Sequence, residues 1–120
     1  MQDFRNLKVW EKSHNLSLRI YSITKTFPKE ELYGLTSQLR RSVISIPTNI
    51  AEGCGRFAHK ETAHFMQIAF GSASETEYLI LLAKDLNFLS VEEYNYLDSE
   101  IEEVKKMLST LIKKIRTDKN

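Results

Sequence analysis

The stretch from Gly53 to Ala58 holds the first residues whose spacing could do chemistry. Gly53, Gly55 and Ala58 fit the G-x-G-x-x-A pattern with which dinucleotide-binding proteins hold a pyrophosphate at the start of a helix. That pattern works only where a β-strand enters the turn within a parallel βαβ unit. The residues before Gly53 have helical periodicity, so the sequence argues against nucleotide binding at this loop.

Histidine and cysteine could supply metal ligands or a nucleophile. His59 and His64 are five residues apart and would lie on different faces of a helix. The single Cys54 can form no internal disulfide and has no companion for a zinc site. No serine is placed with a base and an orienting group. We therefore expect no catalytic site, no metal and no cofactor.

Basic residues give the strongest binding signal, although the net charge is only +1. Residues 1–60 carry ten Lys and Arg against five Asp and Glu, whereas residues 61–120 carry seven against eleven. Four basic residues flank a helix end and a glycine-containing loop, a setting suited to phosphates. These predicted nucleic-acid contacts are Arg40, Arg41, Arg56 and Lys60. With no aromatic platform beside them, we expect recognition of nucleic-acid shape rather than sequence.

A second basic group ends the last predicted helix. The helix opens with acidic residues and ends with Lys113, Lys114 and Arg116, and this order complements the helix dipole. The sequence therefore predicts no ligand at this end.

Glu75 is the most informative single charge. It falls on the predicted core line of the third helix, between Ser72 and Leu79. A buried carboxylate needs a partner, because an unpaired one costs several kcal/mol or changes its pKa. We predict a structural ion pair inside the bundle between Glu75 and either Arg40 or Arg41.

Four helices must position these groups, since only four Gly and two Pro interrupt the chain. The helical periodicity predicts segments near residues 6–26, 36–53, 60–87 and 91–116. Thr36 is the expected cap of the second helix, and Gly53 and Gly55 are its expected stop. Pro47 should kink that helix without breaking it. A strand over Val43 to Ile46 is the weaker alternative.

An antiparallel up-and-down four-helix bundle is the natural packing of four such helices joined by short loops, in a single domain spanning residues 1–120. The predicted seams of the first, second and fourth helices are Val9, Ser13, Leu16, Ile20, Ile23 and Phe27 for the first, Leu39, Val43, Ile46 and Ile50 for the second, and Leu97, Ile101, Val104, Leu108, Leu111 and Ile115 for the fourth. The third helix is expected to bury a longer line: Phe65, Ile68, Ser72, Glu75, Leu79, Leu82 and Leu86.

Helices 1 and 3 carry a second apolar stripe each, more than a lone bundle needs. The stripes contain Leu7, Trp10 and Tyr21 on helix 1 and Met66, Phe70, Leu81 and Phe88 on helix 3. Coverage of these groups by loops and wide bundle faces stays an alternative. Otherwise they form the interface of a homo-oligomer.

Membrane and export signals are not evident. The longest apolar run, Tyr78 to Ala83, is far shorter than the roughly 20 residues of a membrane span. Asp3 and Arg5 lie where a secretory signal would be apolar, so a cytoplasmic location is expected.

Short motifs over nearly the whole chain resemble one bacterial family. They are Leu7-Lys8-Val9-Trp10, Phe27-Pro28, Glu31-Leu32-Tyr33-Gly34-Leu35-Thr36, Gln38-Leu39-Arg40-Arg41-Ser42-Val43, Asn49-Ile50-Ala51-Glu52-Gly53, Gly55-Arg56, Lys60-Glu61, Ile68-Ala69 and Gly71-Ser72 with Glu75. The chain is similar to the four-helix-bundle family first noticed as reading frames within intervening sequences of large-subunit ribosomal RNA genes, often labelled ribosomal-protein-like.

The resemblance implies a cyclic homopentamer whose biological role is mostly unassigned. Relatives of that family include accessory proteins of diversity-generating retroelements, which form barrel-shaped pentamers and bind a reverse transcriptase and nucleic acid. Members usually have Ser where Ala58 stands, so the cap of the third helix is missing here and its start is uncertain. The predicted function is a non-enzymatic oligomer that binds RNA or another nucleic acid through a basic ring. The alternative is a protein-only adaptor or scaffold that uses its apolar helix faces.

Overall fold

The computed structural model describes residues 2–118, which contain four α-helices and no strand. They are α1 (Lys8–Thr24), α2 (Leu35–Cys54), α3 (His59–Asp85) and α4 (Val91–Thr117), with short 3₁₀ turns at Phe4–Asn6 and Lys29–Glu31. The all-helical prediction is confirmed. The alternative strand at residues 43–46 is wrong, because that segment lies inside α2.

The helices pack antiparallel, with each one beside its two neighbours and α1 against α4. Early residues of one helix meet late residues of the next. The Arg116 guanidinium donates to Gln67 Oε1 at 2.8 Å, and Lys105 Nζ donates to Glu77 Oε1 at 2.8 Å, which aligns α4 antiparallel to α3. Lys12 and Glu100 form an ion pair of 3.1 Å between α1 and α4. The chain therefore forms an up-and-down bundle.

The helix ends follow local sequence, with one correction, at Thr36. Ser90 and Glu93 form a reciprocal capping box at the start of α4, with both bonds at 3.0 Å. Thr36 does not cap α2: it lies buried in the first turn, and the Glu31 carboxylate accepts from the Leu35 amide at 3.1 Å instead. Ala58 supplies no side-chain cap to α3, which begins at His59.

The core joins one apolar face from each helix. Its largest fully buried side chains include Ile20, Leu39, Ile46, Ile80, Ile101 and Leu108. The predicted seams of α1 and α2 are buried almost entirely. In α4 the predicted seam is buried from Leu97 to Leu108, after which Ile112 is buried instead of Leu111. Phe27, after α1, and Phe88, between α3 and α4, close one end of this core, with ring centroids 5.5 Å apart.

The buried face of α3 is offset by one residue from the predicted line. The buried positions are Ala63, Met66, Ala69, Ala73, Thr76, Leu79, Ile80 and Ala83. Alanines form much of this buried face, so the pattern of larger apolar residues predicted the neighbouring face instead. Two predictions are therefore wrong. Glu75 is exposed rather than buried, and Met66, only 1% exposed, belongs to the core and cannot reach another subunit.

Helix α2 continues through Pro47 without a break, as predicted. Proline has no amide hydrogen, so the carbonyl of Val43, four residues earlier, loses its partner within the helix. Ser17 of α1 provides a substitute, because its hydroxyl lies 3.4 Å from Val43 O while it also bonds Ser13 O at 2.9 Å. A neighbouring helix thus compensates for the proline.

Hydroxyl groups link α2 to α3 along the buried seam. Ser45 Oγ and Ser72 Oγ are 2.7 Å apart, and Thr76 Oγ1 bonds Ser42 Oγ at 2.9 Å and Ser72 O at 2.8 Å. The Ser45–Ser72 and Ser42–Thr76 bonds each need one alignment of the two helices. This network therefore fixes their register, the role that the sequence had suggested for an ion pair.

Thr76→Val removes the central hydroxyl of this network with almost no change of volume. We expect a loss of about 1 kcal/mol in the free energy of unfolding, measured by urea denaturation, because the hydroxyl that donates to Ser42 Oγ and Ser72 O disappears while Ser42 still donates to Leu39 O. Thr110→Val, at an exposed position of α4, is the matched control and should change little. Equal effects of the two substitutions would show that the network contributes nothing.

Candidate functional site

The loop between α2 and α3 meets the C-terminal end of α4, and this meeting forms the basic end of the bundle. A cavity of about 370 Å³ there is lined by Arg56, Phe57, His59 and Lys114 over apolar groups from three elements. A neighbouring cavity of about 510 Å³ is lined by His59, Lys60, His64 and Arg116. Basic side chains from two distant parts of the sequence therefore share one surface.

The cations at this end differ in how far their charge is already engaged. The Arg56 guanidinium pairs with Glu52 at 2.8 Å and lies 4.7 Å from the ring centroid of Phe65. Lys60 and Lys114 are exposed and form no ion pair among residues 2–118. Lys60 and Lys114 are thus the more accessible groups for an anion, whereas Arg56 must leave or share Glu52.

Arg40 and Arg41 lie elsewhere, so the four predicted nucleic-acid contacts do not form one site. The rise of an α-helix separates Arg41 from Arg56 by roughly 22 Å along α2. Arg40 is half-buried: its Nε donates to Thr24 Oγ1 at 2.8 Å, and its guanidinium lies 4.8 Å from the centroid of Tyr21. Arg40 therefore ties α2 to the end of α1.

The predicted ion pair of Glu75 with an arginine inside the bundle is not formed. Glu75 and Arg41 are both exposed and line a polar groove of about 620 Å³ together with Tyr33, Ser37, Gln38, Ser42 and Ser45. Among residues 2–118, no guanidinium nitrogen of Arg40 or Arg41 lies within 4.0 Å of a Glu75 carboxylate oxygen. The buried partner of Ser42 is Thr76, a neutral hydroxyl, which costs less to bury than a charge.

Sequence reasoning missed five residues at the basic end, namely Phe57, His59, His64, Lys114 and Arg116. The antiparallel topology could have located most of them, because it places the end of α4 beside the start of α3. Phe57 also corrects the expectation that no aromatic platform is present, since its ring is 91% exposed next to Arg56.

A separate apolar groove runs along the surface between α1 and α2. It has a volume of about 760 Å³ and is lined by Phe4, Trp10, His14, Ser17, Leu18, Tyr21, Ile44, Pro47, Thr48, Ala51 and Glu52. Trp10 stacks on His14 with centroids 4.9 Å apart, which gives the groove a flat aromatic wall. Trp10 and Tyr21 are thus placed where the interface prediction needs them.

The other predicted interface residues are less uniform. Leu81 is exposed on α3, near Tyr78. Leu7, Phe70 and Phe88 are half-buried, with Leu7 lining the 370 Å³ cavity and Phe88 packed on Phe27. Exposed apolar residues therefore cluster in the α1–α2 groove and on the outer face of α3, while others, among them Tyr33, Phe57 and Val91, are exposed elsewhere.

Titratable groups with altered pKa values lie away from any nucleophilic arrangement. Burial raises the pKa of the Cys54 thiol, and the charge of Asp3 adds to the effect, so this cysteine is a poor nucleophile. Burial, with the charges of Glu77 and Glu102, raises the pKa of Asp98 on α4. Burial, with the charge of Asp98, raises the pKa of the nearby Tyr94. Across residues 2–118 no three acidic, histidine or cysteine side chains are grouped as metal ligands.

The four helices also differ from membrane-spanning segments. Within the described part of the chain, none of them is long and apolar enough to cross a bilayer.

A family model for the 23S rRNA-intervening sequence protein matches residues 5–110. The chain belongs to this family. The match covers the loop between α2 and α3, nearly all of the α1–α2 groove and most of α4, and it leaves out residues 1–4 and 111–120, which include Lys114 and Arg116.

A solved structure supports the same assignment. It is a Bacteroides thetaiotaomicron protein of unknown function from the S23 ribosomal protein family. Its sequence is 28% identical to this chain, and the two structures match with a TM-score of 0.82 over 88% of this chain and 95% of that one. No protein with a curated description matches significantly. The family and the fold are thus established, and neither comparison indicates a catalytic activity.

Proposed function

We propose that this chain is a non-enzymatic oligomeric protein that binds RNA or another nucleic acid through its basic end, in the cytoplasm. The observation that carries the proposal is the meeting of Arg56 and Lys60 with Lys114 and Arg116 around two adjoining cavities. Phosphates are the natural ligands of such a surface, because they bind Lys and Arg without needing a defined base sequence.

Assembly supplies the charge that a single chain lacks. A net charge of +1 gives too weak a field to hold a polyanion at physiological salt. In a cyclic oligomer each basic end recurs once per subunit, so a few cations per chain become a continuous band. The homopentamer implied by the family resemblance would provide this arrangement, and the same resemblance implies a relation to nucleic-acid-binding accessory proteins of diversity-generating retroelements.

The α1–α2 groove supports assembly physically. Its apolar lining, with Leu18 58% exposed and Ile44 38% exposed, is the kind of surface that monomers seldom leave open. The exposed face of α3, with Tyr78 and Leu81, lies on a different side of the bundle and is a suitable counterpart. Two different patches that meet head to tail generate a ring when the rotation closes.

The test is a salt titration of binding to a labelled structured RNA, measured by fluorescence anisotropy. We expect a steep loss of affinity with salt, and the double variant Lys60→Ala/Lys114→Ala should flatten the log–log slope by roughly 1 for each phosphate that the variant no longer neutralises. Lys25→Ala/Lys29→Ala removes the same charge from exposed positions at the other end and is the control. The proposal fails if the parent does not bind at low salt or if both double variants behave alike.

A protein-only adaptor is the second candidate, and the α1–α2 groove favours it. A partner helix with an apolar stripe could fill that groove without any nucleic acid. The same titration separates the two functions, because an adaptor would show no salt-dependent RNA binding by the parent protein.

A further inference from the structure

Phe57 is the most unusual side chain at the basic end. Its ring is 91% exposed, and among the described large apolar residues only Tyr33, at 93%, is comparable. The ring contributes almost nothing to the core, because nearly all its surface remains in water. Phe57 therefore presents a free aromatic face, and its role has to be sought outside the bundle core.

The charged surroundings of Phe57 are mainly cationic, although the carboxylate of Asp118 also lines the same cavity. Arg56 precedes it, Lys60 follows three residues later, and Lys114 and His59 line the same cavity as its ring. The floor of that cavity contains apolar groups, among them Leu111 and Ile115. A flat aromatic ring, an apolar floor and nearby positive charges together match the two parts of an unpaired nucleotide, its base and its phosphate.

We infer that Phe57 is a stacking platform for an unpaired base of single-stranded RNA, with the flanking phosphates on Lys60 and Lys114. This inference rests on the proposed nucleic-acid function and specifies its ligand. In a duplex both faces of a base are already stacked, so only single strands, loops and bulges can use the ring. Every base has such a face, so the site does not require a particular sequence.

A protein partner is the competing occupant of an exposed phenylalanine. The cations around Phe57 disfavour it, because lysine is depleted in the buried centres of protein interfaces while aromatic residues there are usually surrounded by other apolar groups. Groups of exposed apolar side chains lie instead in the α1–α2 groove, with Leu18 and Ile44, and on α3, with Tyr78 and Leu81. The chemistry next to Phe57 therefore favours a polyanion that also carries aromatic rings.

The experiment compares a short oligoadenosine strand with an RNA duplex of equal total charge, by anisotropy at one fixed low salt concentration. Phe57→Ala should weaken binding of the single strand by roughly ten-fold or more and leave duplex binding within a factor of about two. Tyr33→Ala is the matched control, since Tyr33 is equally exposed but lies in the polar groove with Glu75 and Arg41. It should change neither affinity.

Phe57→Trp provides a direct readout of stacking. The indole should retain single-strand affinity, and its fluorescence should be quenched on adding oligoadenosine beyond the change seen in the parent, which contains Trp10 alone. A structural role for the ring would not produce this added quenching. Light scattering of Phe57→Ala should give the mass of the parent protein.

The outcomes separate the inference from the function on which it rests. If the parent binds neither RNA, both fall. If the parent binds RNA with a steep salt dependence but Phe57→Ala affects single strand and duplex equally, the phosphate-binding function remains and the stacking site is wrong. If Phe57→Ala changes the mass of the assembly, Phe57 is a subunit contact and the inference is overturned.

Discussion

Replacing Gly53 with valine should lower the free energy of unfolding by about 3 kcal/mol and the melting temperature by roughly 10 °C. A Cβ atom at this position would lie 3.0 Å from Phe65 Cβ and 3.2 Å from the backbone oxygen of Thr62. The end of α2 cannot move aside easily, because Thr62 Oγ1 donates to Gly53 O at 3.0 Å. Thermal denaturation followed by circular dichroism measures the effect.

Gly71→Ala is the control for Gly53→Val and should act in the opposite direction. Gly71 lies in the middle of α3, and a Cβ atom there would meet nothing within 4 Å. Alanine restricts the unfolded chain and favours the helix, so we expect a gain of up to about 1 kcal/mol. Destabilisation of similar size at both positions would mean that the close approach of α2 to α3 at Gly53 is not the cause of the response.

Placing carboxylates in the α1–α2 groove should convert the proposed assembly into single chains. Leu18→Glu/Ile44→Glu puts two like charges into the apolar contact, where each would be desolvated without a partner at every interface of the ring. Both side chains are solvent-accessible in the isolated chain, so the bundle itself should tolerate the change. Light scattering at micromolar concentration should give the mass of one chain for this variant and a multiple of it for the parent.

Asn15→Glu adds a carboxylate to an exposed position of α1 that does not line the groove. It should leave the mass of the assembly unchanged, while circular dichroism should show helical spectra for both variants. A parent protein that is already a single chain would remove the basis for the ring. An assembly that persists in Leu18→Glu/Ile44→Glu would show that its contacts lie on another face.

Helix positions were predictable from the sequence, whereas the orientation of α3 was not. In α1, α2 and α4 large apolar residues at helical spacing form the buried face itself, so periodicity identifies it. Helix α3 has large apolar residues nearly all round, and its buried face contains Ala69, Ala73 and Ala83. The close approach of α2 selects small residues there, a tertiary effect that a hydrophobic pattern does not reveal. The one-residue offset then misplaced both Glu75 and Met66.

The candidate site was predictable only in part for a similar reason. Arg56 and Lys60 could be recognised because they flank a loop with glycines, which is local information. Lys114 and Arg116 have a sufficient local explanation in the dipole of α4, so their position beside that loop becomes visible only with the topology. The exposure of Phe57 has no sequence signal, since phenylalanine is far more often buried.

Pro47 and Ser17 form one unit although they lie on different helices. The proline leaves Val43 O without a partner in α2, and the serine hydroxyl divides its single hydrogen between that oxygen and Ser13 O. An ordinary residue at position 47 would restore the amide donor and release the serine, so the energetic cost of changing one position depends on the residue at the other. Substitution at the two sites is therefore non-additive, and natural variation at these positions should be correlated.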